Sequence, residues 1–180
     1  MRVGLIRHFQ VLEPMPRGWV AMDELLAWRT RYDSAEVSPV PLSLEGGNWA
    51  RCYASDLPRA QKTAQAVYSG EISPLSELRE VEFAPFQSGR LRLPFRLWTW
   101  LVRLAWMTGH ESQRRLRDDF FGRMRRVADL IEAQKEDHLM VSHAGMMFYL
   151  RKELLSRGFF GPKFGIAENA RLYVFKRGRV

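Results

Sequence analysis

Two observations predict an α/β fold with a mostly parallel central sheet. Short apolar runs of strand length alternate along the chain with longer stretches of helical spacing, the pattern of strands joined by crossover helices. Two of these runs, at residues 2–7 and 138–142, stop in a histidine, giving Arg7-His8 and Ser142-His143-Ala144-Gly145. In an open parallel sheet the carboxyl ends of the strands line the ligand crevice. Histidines delivered there, with Arg7 beside one of them, predict a cationic pocket that holds a nitrogen nucleophile.

The elements follow in order. Residues 2–7 form the first strand, and 9–20, with Pro14, Pro16 and Gly18, read as a loop. A helix over 21–31 presents Met22, Leu25, Leu26 and Trp28 as its apolar face. Pro39 and Pro41 end that region, and Leu42 to Gly46 leads into a short helical stretch or turn. Residues 50–54 are the second strand. Asp56 is placed to cap a helix over 57–68, with Pro58 in its first turn, where proline is tolerated. Residues 72–75 are a brief strand around Pro74. Leu116, Phe120, Met124, Val127, Leu130 and Ile131 keep a spacing of three or four and predict a long helix over 112–134. A strand at 138–142, a helix at 145–155 and a last strand at 172–175 complete the chain, without internal repeats.

Residues 88–109 stand apart. Trp98, Trp100 and Trp106 lie there with Arg90, Arg92, Arg96 and Arg103. Arg96 and Arg103 interrupt the apolar run, so it is no membrane span. An inserted helix packed on the domain, its arginines reaching outward, is the leading reading. A lid over the pocket, a contact with an anionic membrane surface through 90–107, and a base-stacking surface stay open beside it.

At 180 residues the chain reads as one domain over 1–180, long enough for a sizeable core. A formal charge of +8 points to an anionic ligand or surface. Cys52 is alone and expected to be buried, so no intrachain disulfide forms. The first strand begins almost at once and carries Arg7, which argues against a signal peptide and for a cytoplasmic protein.

The block Ser55-Asp56-Leu57-Pro58-Arg59-Ala60-Gln61-Lys62-Thr63-Ala64 follows the second strand. It puts Arg59 in the first turn of a helix, where free N–H groups and the dipole favour an anion. The planar fork of arginine suits a phosphoryl group. Arg7, Arg59, His8 and His143 can therefore converge on one phosphate.

These segments, with Leu78-Arg79-Glu80 and Gly109-His110-Glu111-Ser112, closely resemble the histidine phosphatase (phosphoglycerate mutase-like) superfamily in order and spacing. The resemblance implies a three-layer α/β/α sandwich. It implies that His8 attacks phosphorus to give a phosphohistidine, while Arg7, Arg59 and His143 hold the non-bridging oxygens. Glu80, with Glu82 as fallback, would protonate the leaving oxygen and later activate water. On a strand the two carboxylates would face the same way. No metal or cofactor is expected. Nearby guanidiniums should keep His8 unprotonated.

The chain departs from the family pattern at Phe9, where a glycine is usual and where a bulky side chain would narrow the pocket mouth or shift the loop. It departs again at Phe83 to Gly89. Ser55 reads as a turn former, and His110 and His138 as surface residues. Lys135, Arg125, Arg126 and the Arg171 to Arg179 tail read as solvated faces.

The expected activity is hydrolysis of a phosphomonoester on a small molecule or a phosphoprotein. The alternatives are a mutase-like phosphoryl transferase and a non-catalytic phosphate-binding module docked to lipid or nucleic acid. No stable nucleic-acid partner is expected, and self-association through exposed tryptophans is a further expectation.

Overall fold

The computed structural model describes residues 1–44 and 48–178. The turn expected from Leu42 to Gly46 and the end of the basic tail at Arg179 fall partly outside those residues. The described elements are β1 (Arg2–Arg7), β2 (Gln10–Val11), β3 (Trp19–Val20), α1 (Met22–Ser34), β4 (Val37–Ser38), β5 (Arg51–Ala54), α2 (Pro58–Val67) and β6 (Ile72–Pro74). A 3₁₀ turn (Ser76–Leu78) follows, then β7 (Leu93–Pro94), α3 (Phe95–Thr108), α4 (Glu111–Gln134), β8 (His138–Ser142), α5 (Ala144–Ser156) and β9 (Leu172–Lys176).

Five strands make the central sheet in the order β6-β5-β8-β1-β9. The first four run parallel, and β9 closes the β1 edge antiparallel. Side chains alternate across it with the two-residue period of a strand. Val3, Leu5, Tyr53, Met140, Tyr173 and Phe175 face α4 and α5. Ile6, Cys52, Ala54, Leu139 and Val141 face α2 and the segment carrying Trp49. Helices thus cover both faces, and strands buried on both sides read as nearly continuous apolar runs. Gly4 lets the second layer close. A Cβ there would lie 2.8 Å from the Trp49 ring and 2.9 Å from Leu172.

The long helix keeps its predicted face, with Phe120, Met124, Val127 and Ile131 buried. The region expected to be a plain loop at 9–20 holds two short strands instead. Gln10 and Val11 pair with β4, and Trp19 and Val20 pair with β7. Two-residue strands leave no periodicity to read.

Residues 88–109 are largely a packed helix. Phe95, Trp98 and Val102 of α3 join Val20 and Met22, with Leu25 and Trp28 of α1 against them. Trp98 donates its indole N–H to the Val20 carbonyl at 2.8 Å, and Trp106 reaches the main core beside Phe120. Gly109, at φ 72°, ends the helix in the left-handed conformation that glycine adopts without strain. Leu26, expected on the apolar face of α1, points to solvent.

Candidate active site

Parallel strands β5, β8 and β1 are neighbours, so their carboxyl ends rise together. Backbone hydrogen bonds continue the ladder past the strands. The His8 N–H donates to the Ser142 carbonyl at 3.0 Å, and the Ser55 N–H donates to the Val141 carbonyl at 2.9 Å. His8 and Ser55 therefore flank His143, which follows the central strand. The His8 and His143 rings lie 5.0 Å apart between centroids, tilted by 58°.

His8 is 3% exposed. Its Nδ1 lies 2.6 Å from the Phe9 carbonyl oxygen. A carbonyl only accepts, so Nδ1 carries the proton and Nε2 keeps a free lone pair. Burial lowers the His8 pKa to about 3, with Arg59 and Arg7 adding to the fall and the Phe9 carbonyl opposing it. The guanidiniums expected to deprotonate His8 are thus secondary to desolvation.

His143 is fully buried, and both its ring nitrogens are engaged. Arg59 donates its Nε–H to Nδ1 at 3.3 Å, so the proton sits on Nε2, 2.9 Å from the Ser55 hydroxyl. Ser55, read from the sequence as a turn former, also orients this imidazole. Burial, followed by Arg59, His8 and Arg7, holds His143 well below the usual imidazole range.

Arg59 sits in the first turn of α2 and is almost fully buried. Its Nη1 donates to Asp33 at 2.7 Å, and its guanidinium lies 5.2 Å over the Tyr32 ring. Tyr32 and Asp33 end α1, and sequence reasoning missed both because no spacing links that helix to the strand ends. Arg7 donates to the Ala167 carbonyl at 2.8 Å, while its buried Nε–H has no partner among the described residues. Asn169, also missed, donates its side-chain amide to the His8 carbonyl at 2.7 Å. Thr63 accepts from the Phe9 N–H at 2.9 Å and donates to the Arg59 carbonyl at 2.7 Å, tying the loop after His8 to α2. Phe9 itself is buried with Val11 and Val37 rather than at the pocket mouth, which removes the steric objection to that residue.

Asp56 does not cap α2. Arg79 binds it through two bonds of 2.7 Å, and Leu57 is the residue ahead of the helix. That pairing anchors the segment carrying Glu80. Arg123 adds to the anchor, donating to the Arg79 carbonyl at 3.2 Å, and Ser142 donates its hydroxyl to the Leu78 carbonyl at 2.7 Å. Residues 80–82 have no strand conformation, so the expected two-residue alternation does not apply. Glu80 reaches the N-terminus of α5 next to His143. It accepts from the N–H groups of Met146 at 3.1 Å and Gly145 at 3.2 Å, as free first-turn donors favour. Gly145 permits the approach: a Cβ there would lie 2.5 Å from a Glu80 carboxylate oxygen. Glu82 makes no side-chain hydrogen bond among the described residues, and after Asp56 its charge supports that of Arg79. Among the described residues no group of three or more His, Cys, Asp and Glu could hold a metal ion.

His138 differs from expectation. It is fully buried, not on the surface. His110 is exposed at the start of α4, where its ring accepts from the Ser112 N–H at 3.3 Å. Cys52 is buried as expected, and burial pushes its thiol up to about 12.

A mostly parallel sheet thus brings two buried imidazoles and two arginines together at its carboxyl edge, in an α/β protein. The chain belongs to the histidine phosphatase superfamily (branch 1), whose family model matches residues 17–179. That membership indicates a phosphatase. The match begins beyond Arg7 and His8, so those two join the site on geometry. Two solved structures share the fold. One is a candidate alpha-ribazole-5'-P phosphatase from Escherichia coli, at 19% identity and a TM-score of 0.56, covering 97% of this chain and 89% of that one. The other is the alpha-ribazole phosphatase from Shigella flexneri, at 19% identity and a TM-score of 0.55, with coverage of 97% and 89%. No curated protein matches the sequence significantly. Among the described residues no helix is long and apolar enough to cross a membrane.

Proposed function

We propose that the protein hydrolyses a phosphomonoester through a phosphohistidine on Nε2 of His8, without a metal. The observation that carries this reading is the state of His8. Its Nδ1 proton is given to the Phe9 carbonyl, its Nε2 is unoccupied, and its pKa of about 3 keeps the lone pair available at neutral pH.

Arg7 and Arg59 bind the non-bridging oxygens, and the unpartnered Arg7 Nε–H is a donor in want of an anion. His143, neutral and fixed by Arg59 and Ser55, donates no net charge but orders the cluster. Attack forms the N–P bond as the bond from phosphorus to the leaving oxygen breaks. Glu80 passes a proton to that oxygen. Its carboxylate then takes a proton from the water that cleaves the N–P bond, releasing phosphate and restoring neutral His8. The guanidiniums supply the positive charge that a metal supplies elsewhere.

The test is turnover of p-nitrophenyl phosphate with a chelator present, together with quenched single-turnover reactions. An acid-labile, base-stable phosphoenzyme should form in the wild type and be absent in His8→Ala. Turnover that survives His8→Ala, or that requires a metal, overturns the reading. Alpha-ribazole 5'-phosphate is the first natural phosphomonoester to assay, because the two solved structures of this fold carry that name.

A further inference from the structure

We propose that the outward face of α3 docks on an anionic membrane surface. The helix is apolar on two sides. One side, Phe95, Trp98, Val102 and Trp106, is buried in the protein. The other carries Leu97, Trp100, Leu104 and Met107, at positions that recur every three or four residues and form one stripe. Trp100 is 57% exposed and Met107 65% exposed, so none of the described residues covers this stripe.

Charge decides the occupant. Arg96 and Arg103 are exposed beside the stripe, and neither makes an ion pair among the described residues. No aspartate or glutamate occurs from Phe83 to His110. A second copy placed symmetrically on this face would set the same arginines against each other. A nucleic acid would leave the leucines and methionine without an apolar partner. A bilayer surface satisfies both groups at once: the stripe enters the acyl boundary, tryptophan sits at the headgroup level, and the arginines meet anionic lipid. Trp19, 63% exposed on the strand paired with β7, extends the apolar surface at the start of α3.

The experiment is co-sedimentation of the full chain with phosphatidylcholine vesicles, with and without phosphatidylglycerol. Binding should require phosphatidylglycerol and weaken with salt. Each basic side chain at such a surface is worth about fivefold, so Arg96→Gln with Arg103→Gln should weaken binding about 25-fold. Trp100→Ser with Met107→Ser should abolish it. Both pairs are solvent-facing and outside the phosphatase site, so p-nitrophenyl phosphate turnover should be unchanged in each, which separates this proposal from the catalytic one. Equal binding to neutral vesicles overturns it, as does binding indifferent to the arginine pair. Concentration-dependent self-association removed by Trp100→Ser assigns the face to a second copy and overturns it. RNA binding lost in the same variants, without vesicle binding, does so too.

Discussion

The two ends of β8 each carry a buried histidine, and they behave oppositely. At the amino end, His138 has no hydrogen bond on either ring nitrogen among the described residues. Burial lowers its pKa, but Glu136 and Asp137 pull the other way. The charges around it pair off with one another: Arg2 with Asp137 at 2.7 Å and Arg51 with Glu136 at 2.7 Å. At the carboxyl end, His143 has both nitrogens engaged, and after burial it is the guanidiniums of Arg59, Arg7 and Arg123 that hold its pKa down. Burial alone therefore marks nothing. The candidate site is marked instead by Arg7, which has no carboxylate partner among the described residues, beside Arg59, whose one carboxylate partner Asp33 is partly exposed, a setting that suits an anion.

The largest expected effect breaks this comparison or secures it. His8→Ala should lower kcat on p-nitrophenyl phosphate on the order of 10³-fold or more, whereas His138→Leu should change it less than about twofold. A large loss in His138→Leu, with the fold intact by circular dichroism, would erase the distinction between the two ends. Arg59→Ala should cost about 10²-fold in kcat/KM, because it removes an oxyanion donor and strips His143 of its orienting bond.

Stability against pH sharpens the same contrast. His8, His143 and His138 all have folded pKa values below the unfolded value of about 6.5. The unfolded chain therefore takes up protons that the folded chain refuses, and stability falls as pH drops below 6.5. By pH 5 a histidine held near 3, as His8 is, costs about 2 kcal/mol. The acids held low by arginines, such as Asp56 and Asp137, titrate below that window. Urea unfolding should show His138→Leu gaining stability over wild type as pH falls from 7.5 to 5, with relief of the orphaned nitrogens, about 1 kcal/mol, the whole of the gain at pH 7.5. A pH-independent gain would contradict the assigned shift.

The smallest effect concerns the carboxylate already on Arg59. Asp33 accepts from the guanidinium at 2.7 Å but is 37% exposed, so solvent weakens its pull. A phosphate must share Arg59 with it. Asp33→Asn keeps an acceptor and removes the charge, and should lower KM for a small phosphate monoester by about two- to fivefold. An increase in KM would mean that the carboxylate's charge holds the fork in place.

The sequence by itself determined the five strands of the central sheet, the long helix and the strand ends on which Arg7, His8 and His143 sit, with Arg59 in the first turn of the helix after the second of those strands. Apolar periodicity fixes element type locally, and a parallel sheet can only deliver strand ends to one edge. It pointed to Glu80 only through the family resemblance, and the two-residue relation to Glu82 assumed a strand that does not form. Only the tertiary structure decided that Tyr32 and Asp33 face Arg59, that Asn169 and Thr63 brace the loop at His8, and that His138 is buried while Phe9 avoids the pocket mouth. Those placements depend on how α1, the segment after α5 and the small paired strands fold back over the sheet. Contacts between residues far apart in the chain leave no periodic trace in it, because the free energy that sets them comes from packing and desolvation after the elements have met.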